Sequence, residues 1–359
     1  MIDDQSEIIV GEIQTQSGHF IGTLTLNAPN RMNSLTLEMV SSMLSALLSW
    51  ETREDIACVV IDGRGDRAFC AGADIKKLYF SCMASSDEDP ELASYASEFF
   101  TVEYRLDRLL HEYKIPTVCL GHGIVMGGGL GIFSACRHRL AMDGLRLAYP
   151  EITIGLFADA GASVLFQKMP LNVALFLALT GSELDSRDAL ALGVATNQFR
   201  SLDYTSLLKR LSGLKYSADR EHNHKLMDSF FQADYQGKSA PSGPWAKVPE
   251  WKFDLEDASE TLEQLLAIPD GDPWVDAAKD NLSSGCPVTA AITVEQIRRA
   301  KDLGVAECFQ MELKIASRCI QLPDFPEGVR ALLIDKDKQP TWTYSKVSDI
   351  PRDYLLSHF

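Results

Sequence analysis

Residues 121–131 read GHGIVMGGGLG, with three glycines in succession at Gly127, Gly128 and Gly129. The stretch follows a predicted strand and opens a predicted helix. Because each glycine weakens a helix, this run predicts that the backbone must come close to something. A helix N-terminus also presents unpaired N–H groups and a positive dipole end, which suits an anionic intermediate. Close packing of the helix against a sheet, without any ligand, is the structural alternative.

A second glycine-bearing stretch lies upstream, where residues 68–75 read AFCAGADI directly after a predicted buried strand. Small residues there let a ligand approach the main chain, so that an amide N–H can point at a developing oxyanion. A tight strand-to-helix turn with Asp74 as the helix cap explains the same residues without chemistry.

Outward from these stretches, predicted strands alternate with predicted helices. Residues 8–13 and 20–26 predict a strand pair joined by a turn at residues 17–18. A helix starting near Leu37, a buried strand at 56–61, a helix over 95–113 and a strand at 116–120 follow. This alternation favours parallel β/α units, whose ligands sit beyond the carboxyl ends of the strands.

A third stretch carries two carboxylates, because residues 149–161 read YPEITIGLFADAG with Glu151 and Asp159 on either side of an apolar run. Two carboxylates that face one pocket have their proton affinities pushed apart, which gives an acid and a base. Most such pairs are surface or capping residues, so the spacing alone does not decide between the two interpretations.

Taken together, the two glycine stretches resemble the oxyanion-hole loops of the crotonase superfamily, the enoyl-CoA hydratases and isomerases. The resemblance implies an α/β fold with a crotonase-like ββα-repeat spiral core and a C-terminal helical region. It also implies that the backbone amides of Ala73 and Gly128 hold the carbonyl oxygen of a coenzyme A thioester.

Gly131 narrows the resemblance, because the enoyl-CoA hydratases carry a second catalytic glutamate at this position and the dienoyl-CoA isomerases an acidic residue. The combination of Gly131, Glu151 and Asp159 is similar to that of the 3-hydroxyisobutyryl-CoA hydrolases. Glu103 in residues 99–106, FFTVEYRL, and the tail at residues 325–337, FPEGVRALLIDKD, resemble the same subfamily.

This subfamily resemblance implies hydrolysis of a short-chain (3-hydroxy)acyl-CoA thioester, with 3-hydroxyisobutyryl-CoA as the leading substrate and a place in valine catabolism. Glu151 would attack the acyl carbon or activate water, Asp159 would act as partner acid or orient the water, and Glu103 would bind the substrate hydroxyl or brace Glu151. The alternatives are an enoyl-CoA hydratase or isomerase of the same superfamily, and a non-catalytic acyl-CoA binding protein. Ala158 to Ala162 depart from the hydrolase pattern, which puts the acyl group in question more than the reaction.

The net charge of −16 argues against partners such as nucleic acid or an anionic membrane. An anionic acyl-CoA substrate therefore needs local cations, and Arg31, Lys76 and Lys77 are the candidates. Solvated surface positions are the alternative for each of them. We expect no cofactor beyond the coenzyme A of the substrate and no metal, since the 8 cysteines form no CxxC pair. A homo-oligomer is compatible with the sequence.

Composition divides the chain into a crotonase-like core with the active site at residues 1–200, a variable insertion or lid at 201–285, and a C-terminal helical region and tail at 286–359. The polar stretch at residues 237–245 is typical of an insertion. The acidic N-terminus at residues 1–7 lacks a leader pattern, so we expect a cytoplasmic protein, or a mitochondrial matrix protein if a presequence has been removed. His222 and His224 are interpreted as solvated loop residues, and His122 as a structural hydrogen-bonding residue.

Overall fold

A computed structural model of the protein describes residues 6–200, 202–233, 251–253, 255 and 257–359. The polar stretch at residues 237–245, within the predicted insertion, and the first residues of the N-terminus lie outside the described residues. The described chain forms two compact units. The first comprises the described parts of Met1–Ala73, Arg105–Leu147 and Leu184–Pro241, and the second those of Asp74–Tyr104, Ala148–Glu183 and Ser242–Phe359.

The described strands and helices alternate along the first half of the chain. The strands are β1 Ile8–Gln14, β2 Phe20–Leu26, β3 Ile56–Gly63, β4 Ala68–Cys70, β5 Thr117–Gly121, β6 Ile124–Met126, β7 His138–Met142, β8 Arg146–Ala148 and β9 Asn197–Phe199. The helices are α1 Leu37–Glu51, α2 Ile75–Met83, α3 Pro90–His111, α4 Gly128–Ala135, α5 Ala162–Phe166, α6 Leu171–Thr180, α7 Ser186–Ala191, α8 Tyr204–Ser212, α9 Arg220–Ala233, α10 Ala258–Leu266, α11 Pro273–Ser284, α12 Pro287–Ala300, α13 Val305–Cys319, α14 Asp324–Val329 and α15 Arg352–Leu356.

A six-stranded sheet organises the first unit, in the order β1-β2-β3-β5-β7-β9. The predicted strand pair is confirmed, because β1 and β2 are antiparallel and Gly18, with φ +85°, supplies the turn between them. From β2 onward neighbouring strands are parallel, as the alternation predicted. A smaller sheet pairs β4, β6 and β8. Gly72 lies two residues after β4 and Gly127 directly follows β6, so these two short strands position both glycine loops.

The core of the first unit includes helices from the stretch that we expected to be an insertion. Leu207 and Leu211 of α8, together with Met227 and Phe231 of α9, are buried against sheet residues such as Val60. Each pair is spaced at i and i+4, which places both side chains on one helix face. The expectation that this stretch lies outside the core is therefore wrong for α8 and α9. The division at residues 200 and 285 stays a prediction.

Helices dominate the described residues of the second unit. The predicted C-terminal helical region contains α12 and α13, which lie on either side of Gly304. Helix α3 begins at Pro90, five residues before the predicted Tyr95, because Asp89 accepts a hydrogen bond from the Leu92 amide at 3.0 Å and proline suits the first helical turn. None of the described helices has the length and apolarity needed to span a membrane.

Candidate active site

The two glycine loops of the first unit pack backbone against backbone. Gly72 has φ +95°, and a Cβ atom added there would lie 3.1 Å from the Met126 carbonyl oxygen and 3.7 Å from the Gly128 amide nitrogen. A Cβ atom at Gly129 would collide with the Cys70 carbonyl group. Glycine is therefore needed in both loops because the main chains approach too closely for side chains. The structural interpretation of these glycines is correct, and it does not exclude the chemical one.

The amide groups of Ala73 and Gly128 are the predicted oxyanion donors. Within the described residues, neither amide donates a hydrogen bond to another backbone group. The Gly128 amide is the first of α4, where N–H groups have no partner within the helix. The neighbouring backbone is fixed, since the Leu35 amide donates to the Gly72 carbonyl oxygen at 2.8 Å. Two such donors in adjoining loops form an arrangement that can accept a carbonyl oxygen.

Glu151 of the second unit is a buried carboxylate with little to neutralise it. It starts the short 3-10 helix Glu151–Ile154, directly after Pro150, and its side chain is 6% exposed. Within the described residues, its Oε2 atom has no hydrogen-bond partner. Burial raises the pKa of Glu151 well above its ordinary value, and the nearby charge of Asp159 raises that pKa further. The structure therefore brings the two predicted carboxylates into electrostatic contact.

Asp159 lies at the start of a tight turn and points at a tyrosine. The Ala162 amide donates to the Asp159 carbonyl oxygen at 3.0 Å, while Ala160 and Gly161 adopt φ values of +51° and +82°. The Tyr104 hydroxyl donates to Asp159 Oδ2 at 2.6 Å. Burial raises the pKa of Asp159 to about 6, and the hydrogen bond from Tyr104 limits this rise.

Glu103 lies on α3 beside Tyr104 and is 1% exposed. The Tyr104 pKa is raised by burial and then by the negative charges of Asp159, Glu103 and Glu312, which are therefore close to this phenol. The structure thus gathers three carboxylates around one buried tyrosine. The roles that the resemblance implies for Glu103 stay predictions.

The sequence did not indicate a role for three buried polar residues of this cluster: Tyr104, Gln296 and Glu312. Glu312 accepts hydrogen bonds from two backbone amides, and burial raises its pKa to about 7. Gln296 donates to the Ala158 carbonyl oxygen at 2.8 Å. A usable signal existed for Glu312, because it shares the buried helical face of Cys308 and Ile315, where a charged side chain is unusual.

The candidate coenzyme A cations differ in their surroundings. Arg31 of the first unit pairs with Glu7 at 2.6 Å, so a phosphate would have to compete with that carboxylate. In the second unit, Lys76 is exposed on α2, and the Lys77 ammonium lies 4.1 Å from the centre of the Tyr95 ring. The coenzyme A role of each cation stays a prediction.

The histidines and Asp74 have structural partners. His122 Nε2 lies 3.0 Å from the Gly65 carbonyl oxygen, which confirms the predicted hydrogen-bonding role. Asp74 caps α2 by accepting from the Lys77 amide at 3.2 Å. His222 and His224 lie on α9 and not in a loop, so that prediction is wrong about their setting. Across the described residues, no group of three or more His, Cys, Asp or Glu side chains could hold a metal ion.

Comparison with known proteins defines the class to which this fold and these loops belong. The family model for Enoyl-CoA hydratase/isomerase matches residues 21–359. The chain therefore belongs to the enoyl-CoA hydratase/isomerase family, as the two glycine loops predicted.

Among individual relatives, 3-hydroxyisobutyryl-CoA hydrolase, mitochondrial, from Danio rerio is 32% identical over 345 residues, covering 93% of this chain and 85% of the relative. The Homo sapiens protein of the same name is 30% identical over 341 residues, with coverages of 94% and 86%.

Solved structures agree over nearly the whole chain. An enoyl-CoA hydratase from Rhodobacter sphaeroides superposes with a TM-score of 0.82 at 26% identity, covering 98% of this chain and 97% of that chain. A carnitinyl-CoA dehydratase from Mycobacterium thermoresistibile gives a TM-score of 0.81 at 26% identity, with coverages of 99% and 96%. The predicted crotonase-like α/β fold with a C-terminal helical region is confirmed.

Proposed function

We propose that this protein hydrolyses short-chain acyl-CoA thioesters, with 3-hydroxyisobutyryl-CoA as the leading substrate and valine catabolism as the setting. One observation carries the proposal: a buried, electrostatically coupled Glu151–Asp159 pair coexists with a glycine at position 131. The two-glutamate hydration of a double bond requires a second glutamate where this chain has Gly131. The Glu151–Asp159 pair therefore suits attack on a carbonyl carbon better than addition of water across a double bond. The relatives named 3-hydroxyisobutyryl-CoA hydrolase support the same reaction.

The amides of Ala73 and Gly128 would hold the thioester oxygen and stabilise the negative charge that develops when the carbonyl carbon is attacked. Removing one donor of this kind typically costs about 3 kcal/mol of barrier. Glu151 is the proposed attacking group or the base that activates water, and both routes use the same carboxylate. Attack by the Glu151 carboxylate or by water forms a carbon–oxygen bond and a tetrahedral oxyanion, whose collapse breaks the carbon–sulfur bond and releases the coenzyme A thiolate, which takes up a proton. On the carboxylate route, water then hydrolyses the acyl–Glu151 anhydride, which releases the acid and restores the carboxylate.

The protonation of the carboxylate pair governs when this chemistry can occur. Burial raises the pKa of both carboxylates, and the charge of Asp159 raises that of Glu151 further, so the pair gives up its two protons in separate steps. A protonated Glu151 cannot attack. The reactive state is therefore the one in which Glu151 has lost its proton, either to solvent or to Asp159. Asp159 then serves as the proton-holding partner.

A second candidate function is hydration or isomerisation of an enoyl-CoA, which is favoured by the two similar structures, an enoyl-CoA hydratase and a carnitinyl-CoA dehydratase. A panel of short acyl-CoA, 3-hydroxyacyl-CoA and enoyl-CoA thioesters separates the two. Hydrolysis releases a free thiol that a thiol reagent detects, whereas hydration removes the enoyl absorbance without releasing thiol. We expect thiol release, fastest with branched or 3-hydroxy acyl groups. Rapid loss of enoyl absorbance without thiol would contradict the proposal.

This reaction needs no cofactor, because the Glu151–Asp159 pair would supply the proton transfers and the amides of Ala73 and Gly128 would stabilise the developing charge. Chelator treatment should leave the rate unchanged. The relatives are named as mitochondrial proteins, which favours a mitochondrial over a cytoplasmic site of action. Assembly into a homo-oligomer stays a prediction.

A further inference from the structure

Glu312 is a buried carboxylate that the proposed mechanism does not use. It lies on α13 and is 0% exposed. Its Oε2 atom accepts a hydrogen bond from the Gly161 amide at 2.7 Å, and its Oε1 atom accepts one from the Ser163 amide at 2.8 Å. These two hydrogen bonds favour the ionised carboxylate and so oppose the effect of burial on the Glu312 pKa. Both oxygens of the Glu312 carboxyl group thus bind the same short backbone segment, at Gly161 and Ser163.

That stretch contains the turn that presents Asp159. The two central residues of the turn, Ala160 and Gly161, both have positive φ. A non-glycine residue in this conformation persists only where its surroundings enforce it. Gly161 is also the N-cap of α5, and it has no side chain with which to cap the helix. Glu312 supplies the missing acceptor from another helix, so it completes both the turn and the cap.

Two further hydrogen bonds hold the same segment. Gln296 of α12 donates to the Ala158 carbonyl oxygen at 2.8 Å and to Ser163 Oγ at 2.9 Å. Tyr104 of α3 donates to Asp159 itself. Of the three side chains that hold this segment, Glu312 is the one that accepts hydrogen bonds from two of its backbone amides. Its loss would leave two buried backbone amides without an acceptor, next to a carboxylate that must keep its direction.

We propose that Glu312 is a positioning residue for thioester hydrolysis, and that its carboxylate fixes the Asp159–Ser163 turn and so orients the Asp159 carboxyl group. The inference rests on the proposed function, because Glu312 would act on the reaction through Asp159. It assigns to α13 a part in the reaction although Glu312 lies 153 residues beyond Asp159 in the sequence.

The first test is Glu312→Gln, which keeps the shape but leaves an NH₂ group facing one of the two amides. We expect kcat for thiol release to fall ~10-fold, because small misplacements of reacting groups are costly, while KM stays within about twofold. Glu307→Gln is the matched control: it makes the same substitution at an exposed position of the same helix, and glutamine also serves at that place in a helix cap. It should keep the wild-type kcat.

A double-mutant cycle tests whether the effect of Glu312 on the rate depends on Asp159. If Glu312 acts through Asp159, then Glu312→Gln should change kcat less than about twofold in an Asp159→Asn background. The same ~10-fold loss in both backgrounds would overturn the inference and leave the role of Asp159 intact. Wild-type hydrolysis by Asp159→Asn alone would instead refute that part of the proposed function, and the Glu312 route with it.

If Glu312→Gln does not fold, a second variant and a measurement on the wild-type enzyme still test the inference. Glu312→Asp keeps the charge but shortens the reach by one methylene, so it should show the same dependence on Asp159. Amide hydrogen exchange of the wild-type enzyme should be slow at Gly161 and Ser163, and faster in either variant. Exchange at these two amides as fast as in exposed loops of the wild-type enzyme would overturn the inference.

Discussion

At the scale of single residues, the Tyr104 hydroxyl controls the charge of Asp159. Its hydrogen bond at 2.6 Å stabilises the carboxylate and opposes the effect of burial on the Asp159 pKa. Glu151 has no comparable donor on its Oε2 atom in the described part of the chain. This difference in hydrogen bonding favours the ionised form of Asp159 over the ionised form of Glu151.

Tyr104→Phe tests this explanation, because it removes the hydroxyl and keeps the ring. The pKa of Asp159 should rise above about 6, so the acid limb of the pH profile of kcat/KM for thiol release should move to higher pH. Tyr79→Phe, which changes a tyrosine of α2, is the control and should leave the limb in place. An unmoved acid limb in a folded Tyr104→Phe protein would show that Asp159 does not titrate in the reaction.

At the scale of elements, the start of α4 is the feature on which oxyanion binding depends. Gly128→Pro removes the first amide N–H of this helix, and the first helical position is the one at which proline is favoured in general. We expect thiol release to fall by ~100-fold or more, as for the loss of an oxyanion donor, while circular dichroism and the melting temperature stay near those of the wild type. Full activity in the folded variant would remove this loop from the mechanism.

Secondary-structure elements whose turns, caps or motifs lie within a few neighbouring residues were predictable from the sequence. The β1–β2 pair has a glycine turn, α1 has Thr36 as its cap, and the two glycine loops are contiguous motifs. Contacts between distant segments were not predictable, because periodicity reports a buried face without naming its partner. The sequence therefore predicted Glu151 and Asp159 but did not identify Glu312 as the residue that holds the Asp159 turn, or α8 and α9 as parts of the core.

At the scale of the whole molecule, buried acids make stability depend on pH. Asp62 is an example outside the proposed site: burial raises its pKa from 3.8 to about 6, although Thr25 donates to it at 2.5 Å. Because the folded protein holds this proton to higher pH than the unfolded chain does, the contribution to stability is complete below pH 3.8 and is lost as pH rises through about 6. Glu312 acts in the same direction, with a pKa of about 7.

We therefore expect the urea midpoint of the wild type to fall, relative to that of Asp62→Asn, as pH rises from about 4 to about 7. The Asp62 shift corresponds to ~3 kcal/mol, because each pKa unit represents about 1.4 kcal/mol. Glu98→Gln, at an exposed position of α3, should retain the wild-type pH dependence. Equal slopes for Asp62→Asn and the wild type would mean that Asp62 does not hold a proton in the folded state.

The central claim is that the Glu151 carboxylate meets the acyl carbon of a coenzyme A thioester. Glu151→Gln keeps the shape of the side chain and removes its charge, so it tests that claim most directly in a thiol-release assay with 3-hydroxyisobutyryl-CoA. We predict a fall in kcat of at least ~100-fold with KM little changed, the range that general bases and nucleophiles contribute, while Glu98→Gln retains full activity. Near-normal hydrolysis by a folded Glu151→Gln protein would contradict the account and make Glu103 or Asp159 the leading candidate.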